Sequence, residues 1–178
     1  MELLNKFEKN IKTQDYSSKT EIDGVEIVSL KRLNDETGSL TELLRLNAGS
    51  VENIPAFQLE QINFSEIDGG MIKAFHVHKK QTDLWYVPPG HKILLLLVDL
   101  RKNSATQENI MRIVLGDGNS RLIVIPPGIA HGCKNLYQDK GEIIYFVNNK
   151  FDPEPENCDE WRLSWDAFGE EVWTLSKE

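Results

Sequence analysis

The chain has 178 residues, 40% of them hydrophobic, which is enough for one packed domain and too few for two. Lys and Arg total 20 against 28 Asp and Glu, a net charge of −8, so no basic excess exists to track the phosphates of a nucleic acid. An anionic small molecule is compatible only where a few basic residues converge.

Residues 1–20 are charged, with Leu3, Leu4, Phe7 and Ile11 at helical spacing, which predicts a short peripheral helix or a loose arm. They lack the apolar segment of a secretory signal, and nowhere does an apolar run reach the roughly eighteen residues of a membrane span. Segments 25–30 and 40–46 read as strands joined by NDETGS, whose Asn, Asp and Gly favour a turn. Residues 56–64, AFQLEQINF, alternate apolar and polar, as a strand with two different faces does. A turn is predicted at 67–70. Further strands are predicted over 71–78, 83–87, 91–100, 110–115, 121–125 and 142–147, most of them separated by PPG, GDGN, PPG and QDKG. Many short strands at this spacing predict an all-β barrel or sandwich, here a single domain with its core over 25–150. There is no internal repeat, low-complexity tract or linker. The tail from Phe151 holds three of the four tryptophans and predicts a short helix or turn packing its indoles across one barrel end. Two cysteines, Cys133 and Cys158, make no disulfide framework, so the expectation is a cytoplasmic protein with reduced thiols and no membrane partner.

Two stretches carry the candidate chemistry. Residues 70–90, GMIKAFHVHKKQTDLWYVPPG, hold His76, His78 and Asp83; residues 125–135, IPPGIAHGCKN, hold His131. On a strand, residues i and i+2 point to one side, so His76 and His78 share a face. The spacing glycine, five residues, His-x-His, four residues, acid, six residues, glycine resembles the first motif of the cupin superfamily, with Asp83 where a glutamate is usual. Pro126, Pro127, Gly128, His131 and Asn135 resemble the second motif. This implies a double-sheet jelly roll whose interior carries polar groups.

A narrower resemblance runs from residue 25 to 173. VDLRKNSAT (98–106) is similar to the VDLR-x-x-SPT segment of the dTDP-4-dehydrorhamnose 3,5-epimerase family. So are Gln61-x-Asn63-x-Ser65, the stretch 126–132, and Trp165-Asp166 with Gly169 and Trp173. The resemblance implies a metal-free, homodimeric jelly-roll isomerase that exchanges N-terminal strands. Such an enzyme inverts sugar carbons beside a 4-keto group in cell-surface polysaccharide synthesis. That chemistry needs a base, a stabilised enolate and an acid on the opposite face. Position by position, the resemblance implies His76 as base, Tyr145 as acid and Asp166 near the orienting aspartate. It also implies Gln61, Asn63, Lys73 and His131 as contacts to an anionic nucleotide sugar. Lys73 stands where the family has an arginine and cannot make its bidentate grip. Thr37-Gly38 replaces an Arg-Gly, Asp83 replaces the lysine that would stabilise the enolate, and a leucine of LLLL replaces an aspartate.

The same departures complete another constellation. His76, His78, Asp83 and His131 stand where metal-binding cupins hold iron, manganese, nickel or zinc. A metal-dependent cupin enzyme and a non-catalytic sugar-binding cupin are therefore the alternatives, while the family resemblance favours no metal. Roles without chemistry also stand for single residues: His78 as a polar edge residue, His91 as a solvated turn residue and Tyr145 as a strand aromatic. Lys79 and Lys80 read as an exposed pair, and Cys133 as a small buried thiol.

Overall fold

The computed structural model describes residues 4–8, 11, 13 and 21–175. Most of the predicted arm over 1–20 lies outside the described residues, which include one helical turn, α1 (Asn5–Glu8). From residue 21 the strands follow in order: β1 (Glu26–Ser29), β2 (Arg32–Asp35), β3 (Gly38–Thr41), β4 (Leu46–Asn47), β5 (Ser50–Val51), β6 (Ile54–Gln58), β7 (Gln61–Ile67), β8 (Ile72–Val77), β9 (Asp83–Tyr86), β10 (Lys92–Asp99), β11 (Ile110–Gly116), β12 (Arg121–Ile125), β13 (Ile129–Asn135), β14 (Gly141–Val147) and β15 (Trp161–Arg162). One five-stranded sheet has the order β1-β12-β9-β14-β7 and the other β11-β10-β13-β8-β15; β2-β3 and β4-β5-β6 form two small sheets. This is the double-sheet jelly roll expected from the two motifs.

The apolar run of β10 shows why the sheets stack. Leu95 and Leu97 join Ile113, Ile123, Ile125 and Ile143 in the core between the sheets. Leu96 and Val98 point the other way and pack with Phe75, Ala130 and Trp173. A central strand covered on both faces reads as continuous hydrophobics rather than an alternation.

Two predicted elements differ, and strands appear where none was predicted. The 56–64 reading is two strands, because Leu59 N–H donates to Gly49 O (3.0 Å) and Glu60 N–H to Val147 O (2.9 Å) as the chain passes from the small sheet to the main one. The 40–46 reading ends early, in a β2–β3 hairpin. There Asp35 Oδ1 accepts from Thr37 N (2.8 Å), Thr37 Oγ1 (2.6 Å) and Gly38 N (3.0 Å), and the chain leaves strand geometry after Thr41. β13 was not foreseen, because glycines and prolines in 126–132 hide its apolar pattern. Gly132 in that strand is obligatory: a Cβ there would lie 2.4 Å from Ala74 Cβ. In the tail, Trp173 alone of the three indoles is buried, in a 3-10 turn (Glu170–Trp173) and 5.3 Å from the Phe75 ring; Trp161 and Trp165 are exposed.

VDLRKNSAT is scaffold. Asp99 is fully buried and accepts hydrogen bonds from Arg101 Nε (2.9 Å) and Nη2 (2.8 Å), Ser104 Oγ (2.6 Å) and Thr106 Oγ1 (2.7 Å). Arg101 Nη2 also donates to Asp23 O at 2.7 Å, tying the β10–β11 connection to the chain ahead of β1. Asn135, the last residue of the second motif, is likewise structural: its buried amide donates to Ile67 O (3.1 Å) and Asp139 O (2.7 Å).

Candidate active site

A cavity of about 360 Å³ opens between the two main sheets. Its first wall comes from β7, β14 and β9. Strand β7 turns Gln61, Asn63 and Ser65 into the cavity and leaves Ile62 and Phe64 exposed, the reverse of the usual polar-out pattern. Tyr145 on β14 sits opposite Asn63 on one side and Trp85 on the other, and Asp83 is two residues before Trp85 on β9. Gln61 Nε2 donates to Asn63 Oδ1 at 2.7 Å, while Gln61 Oε1 accepts from Phe151 N at 3.1 Å and so anchors the start of the tail.

The second wall comes from β8, β13 and β15. Here His131 pairs with His76, but Cys133 pairs with Lys73. Two residues of β8, Ala74 and Phe75, therefore oppose the single residue Gly132. The bulge shifts the alternation by one, so that Lys73 and His76 both face the cavity, which a regular strand forbids. His78, just past the end of β8, faces it too, so the His-x-His pair shares a side as predicted.

The tail completes this wall. β15 runs along the edge of β8 with Arg162 opposite His76. Glu160 Oε1 lies 3.4 Å from His76 Nδ1 and accepts from Arg162 Nη2 at 2.5 Å. Asp166 is elsewhere: it is exposed, hydrogen-bonded to the Ser164 hydroxyl, and does not line the cavity. The carboxylate beside His76 is thus Glu160, and the expectation for Asp166 is corrected. Asp159 is a second residue that sequence reasoning missed. Its carboxylate accepts the backbone N–H of Lys79 (3.0 Å), Lys80 (2.9 Å) and Gln81 (2.9 Å), and its carbonyl accepts His78 Nδ1–H at 2.7 Å. Partial burial opposes the charge on Asp159, but those backbone donors hold its carboxyl below the usual range. The acid pair Asp159-Glu160 after the proline-rich start of the tail was the only available signal.

Burial, with the charges of His131 and Arg162, pushes His76 down to about 4, against the pull of Glu160. Its imidazole is neutral at pH 7 and keeps a lone pair. Tyr145 is half-buried; burial first, then Asp83 and Glu160, raise its pKa and keep it a protonated donor. Burial pushes the Cys133 thiol up to about 12, so it is inert at neutral pH. His78 is buried in the cavity wall rather than at an edge, whereas His91 lies away from the cavity with Nε2 3.4 Å from Glu142. Lys79 stacks its ammonium 3.8 Å over the Trp161 ring. Of the four candidate metal ligands, His78, Asp83 and His131 come together, their ligand atoms within 4.8 Å of one another; His76 is not in that group.

Lys73, Lys150 and Arg162 add three cations to a cavity lining that also carries Asp83, Asp159 and Glu160. Residues 19–168 match the family model of dTDP-4-dehydrorhamnose 3,5-epimerase, which covers most of the chain. This chain belongs to that epimerase family. Among its relatives, the spore coat polysaccharide biosynthesis protein SpsL of Bacillus subtilis is 37% identical over 145 residues, covering 82% of this chain and 91% of the relative. The dTDP-4-dehydrorhamnose 3,5-epimerase of Methanothermobacter thermautotrophicus is 32% identical, covering 80% and 77%. Among solved epimerase-family structures, the dTDP sugar isomerase of Desulfovibrio desulfuricans superposes with a TM-score of 0.71 at 26% identity, covering 82% and 87%. The Legionella pneumophila 3,5-epimerase in complex with dTDP-4-keto-L-rhamnose superposes at 0.69 with 25% identity, covering 83% and 76%.

Proposed function

We propose that this protein is a nucleotide-sugar epimerase of polysaccharide synthesis, acting on carbon beside the keto group of a 4-keto-6-deoxy sugar. The observation that carries the reading is that His76 and Tyr145 line one cavity from opposite sheets, His76 on β8 and Tyr145 on β14. Inversion of such a carbon needs that placement. His76 takes the proton from one face, the C–H electron pair moves into the enolate, and Tyr145 returns a proton to the other face. One C–H bond breaks and one forms, and no cofactor is consumed. Glu160, beside His76 Nδ1, is the group that orients the imidazole, in the place expected of Asp166.

The cations suit the diphosphate of an activated sugar, a ligand also found in the Legionella relative. Lysine at position 73 offers a point charge where an arginine would grip two oxygens, so the hold on phosphate is weaker. In heavy water, the protein should incorporate deuterium at C3 or C5 of dTDP-4-keto-6-deoxyglucose, read by proton NMR. Binding of the sugar without any exchange would overturn the enzymatic reading in favour of a sugar-binding cupin.

The assembly we propose is a homodimer. Strand β7 is a sheet edge with Ile62 58% and Phe64 60% exposed, and the β2–β3 hairpin exposes Leu33 and Leu40. Apolar side chains concentrated at an edge and on an outstanding hairpin mark a surface for a second copy. Sedimentation at micromolar concentration should give about twice 20.4 kDa, and Phe64→Asp should shift the equilibrium towards monomer. A wild-type chain sedimenting only at 20.4 kDa would sink the dimer. A cytoplasmic location agrees with the two unpaired cysteines, and no helix among the described residues is long and apolar enough to cross a membrane.

A further inference from the structure

We propose that His78, Asp83 and His131 form a binding site for one divalent transition-metal ion, of the zinc, iron(II), manganese or nickel class. The three side chains are buried, with residue exposures of 7%, 2% and 2%. They come from the turn after β8, from β9 and from β13, so both sheets contribute. His131 Nε2 lies 3.5 Å and His78 Nε2 4.0 Å from the same oxygen, Asp83 Oδ2.

The second nitrogen of each ring decides what can sit between them. His78 Nδ1–H donates to Asp159 O at 2.7 Å, and His131 Nδ1–H donates to Ile129 O at 3.1 Å. A backbone carbonyl only accepts, so each ring must keep its hydrogen on Nδ1. The neutral tautomer so selected carries its lone pair on Nε2. Two imidazole lone pairs therefore converge on one carboxylate oxygen in a buried wall, an arrangement that favours a cation at their centre. Carbonyl acceptors behind the Nδ1 atoms are also what orients metal-bound histidines.

Asp83 is held for the same purpose. Trp85 Nε1 donates to Oδ2 at 3.1 Å and Gln81 Nε2 to Oδ1 at 2.7 Å, which fixes the carboxylate in its plane. The Gln81 amide also reaches His78 Nε2 at 3.3 Å and must turn aside for an ion to enter. Ligand atoms about 2.1 Å from a tetrahedral ion stand about 3.4 Å apart. The 3.5 Å pair already fits, and the 4.0 Å pair needs a closure of well under 1 Å. Two imidazoles and one carboxylate suit this class of ion and leave positions open to the cavity.

The test uses the full chain without a histidine tag, stripped with a chelator and offered Zn(II), Fe(II), Mn(II) and Ni(II) in turn. Calorimetric titration and elemental analysis should find about one ion per chain for at least one of them. His78→Gln and Asp83→Asn should each weaken binding roughly 100-fold or more, as loss of a ligand does when even outer-shell changes cost 10–100-fold. His76→Gln and His91→Gln should retain it. Asp83 is 2% exposed and tied to Gln81 and Trp85, so His78→Gln, at a residue 7% exposed, keeps the test decisive should Asp83→Asn fail to fold. A wild type that takes up none of the four ions at large excess would overturn the proposal, as would binding that survives in a folded His78→Gln. Metal content is read without turnover, so the outcome is separate from that of the epimerase reading.

Discussion

Replacing His76 with alanine should slow deuterium exchange at the sugar carbon by roughly 10²–10⁴-fold, the span over which a positioned base acts. The side chain faces the cavity only because the Ala74–Phe75 bulge turns it inward, and Glu160 and Arg162 flank it through the β15 pairing. Glu160→Gln should reduce exchange by a smaller factor, since it leaves the base in place and removes only the charge that orients it. Asp166→Asn should leave exchange unchanged, because Asp166 bonds Ser164 outside the cavity. Undiminished exchange in His76→Ala, or a loss in Asp166→Asn that matches the loss in His76→Ala, would reject this assignment.

The second large effect lies in the scaffold. Asp99→Ala should destabilise the fold by about 3 kcal/mol, the low end for breaking a buried charge pair by removing one partner. For a chain of this size that lowers Tm by roughly 6–12 °C. The pH dependence follows from the direction of the Asp99 shift. Hydrogen bonds from Arg101, then Ser104 and Thr106, hold its carboxyl far below the ordinary 3.8, outweighing burial. In the folded state it stays ionised where the unfolded chain has begun to take up a proton. Its stabilisation is therefore fully present above about pH 4 and is lost as the pH falls below that. Wild-type stability should drop with acid in that window, and the Asp99→Ala curve should be flatter. Denaturant unfolding from pH 7 to 3 on both proteins measures this; parallel curves would remove Asp99 as the source.

What the amino-acid order determined by itself was mostly local. The strand alternation, the shared side of His76 and His78, and the VDLRKNSAT segment were all legible. The Asp99 partners lie within seven residues, so one short stretch writes the whole knot. The family resemblance rested partly on such a segment, whose partners are close in sequence. Tertiary structure decided the rest. His78 and Asp159 are 81 residues apart, and only the pairing of the tail with the β8 edge brings Asp159, Glu160 and Arg162 to the histidines. Alternation in β7 marked two faces without saying which is inside; the cavity takes the polar one, leaving Ile62 and Phe64 exposed. The bulge opposite Gly132 overrides the period of two between Lys73 and His76, though not between His76 and His78. It arises from the close approach of two strands, a contact that the order of residues along either one does not contain.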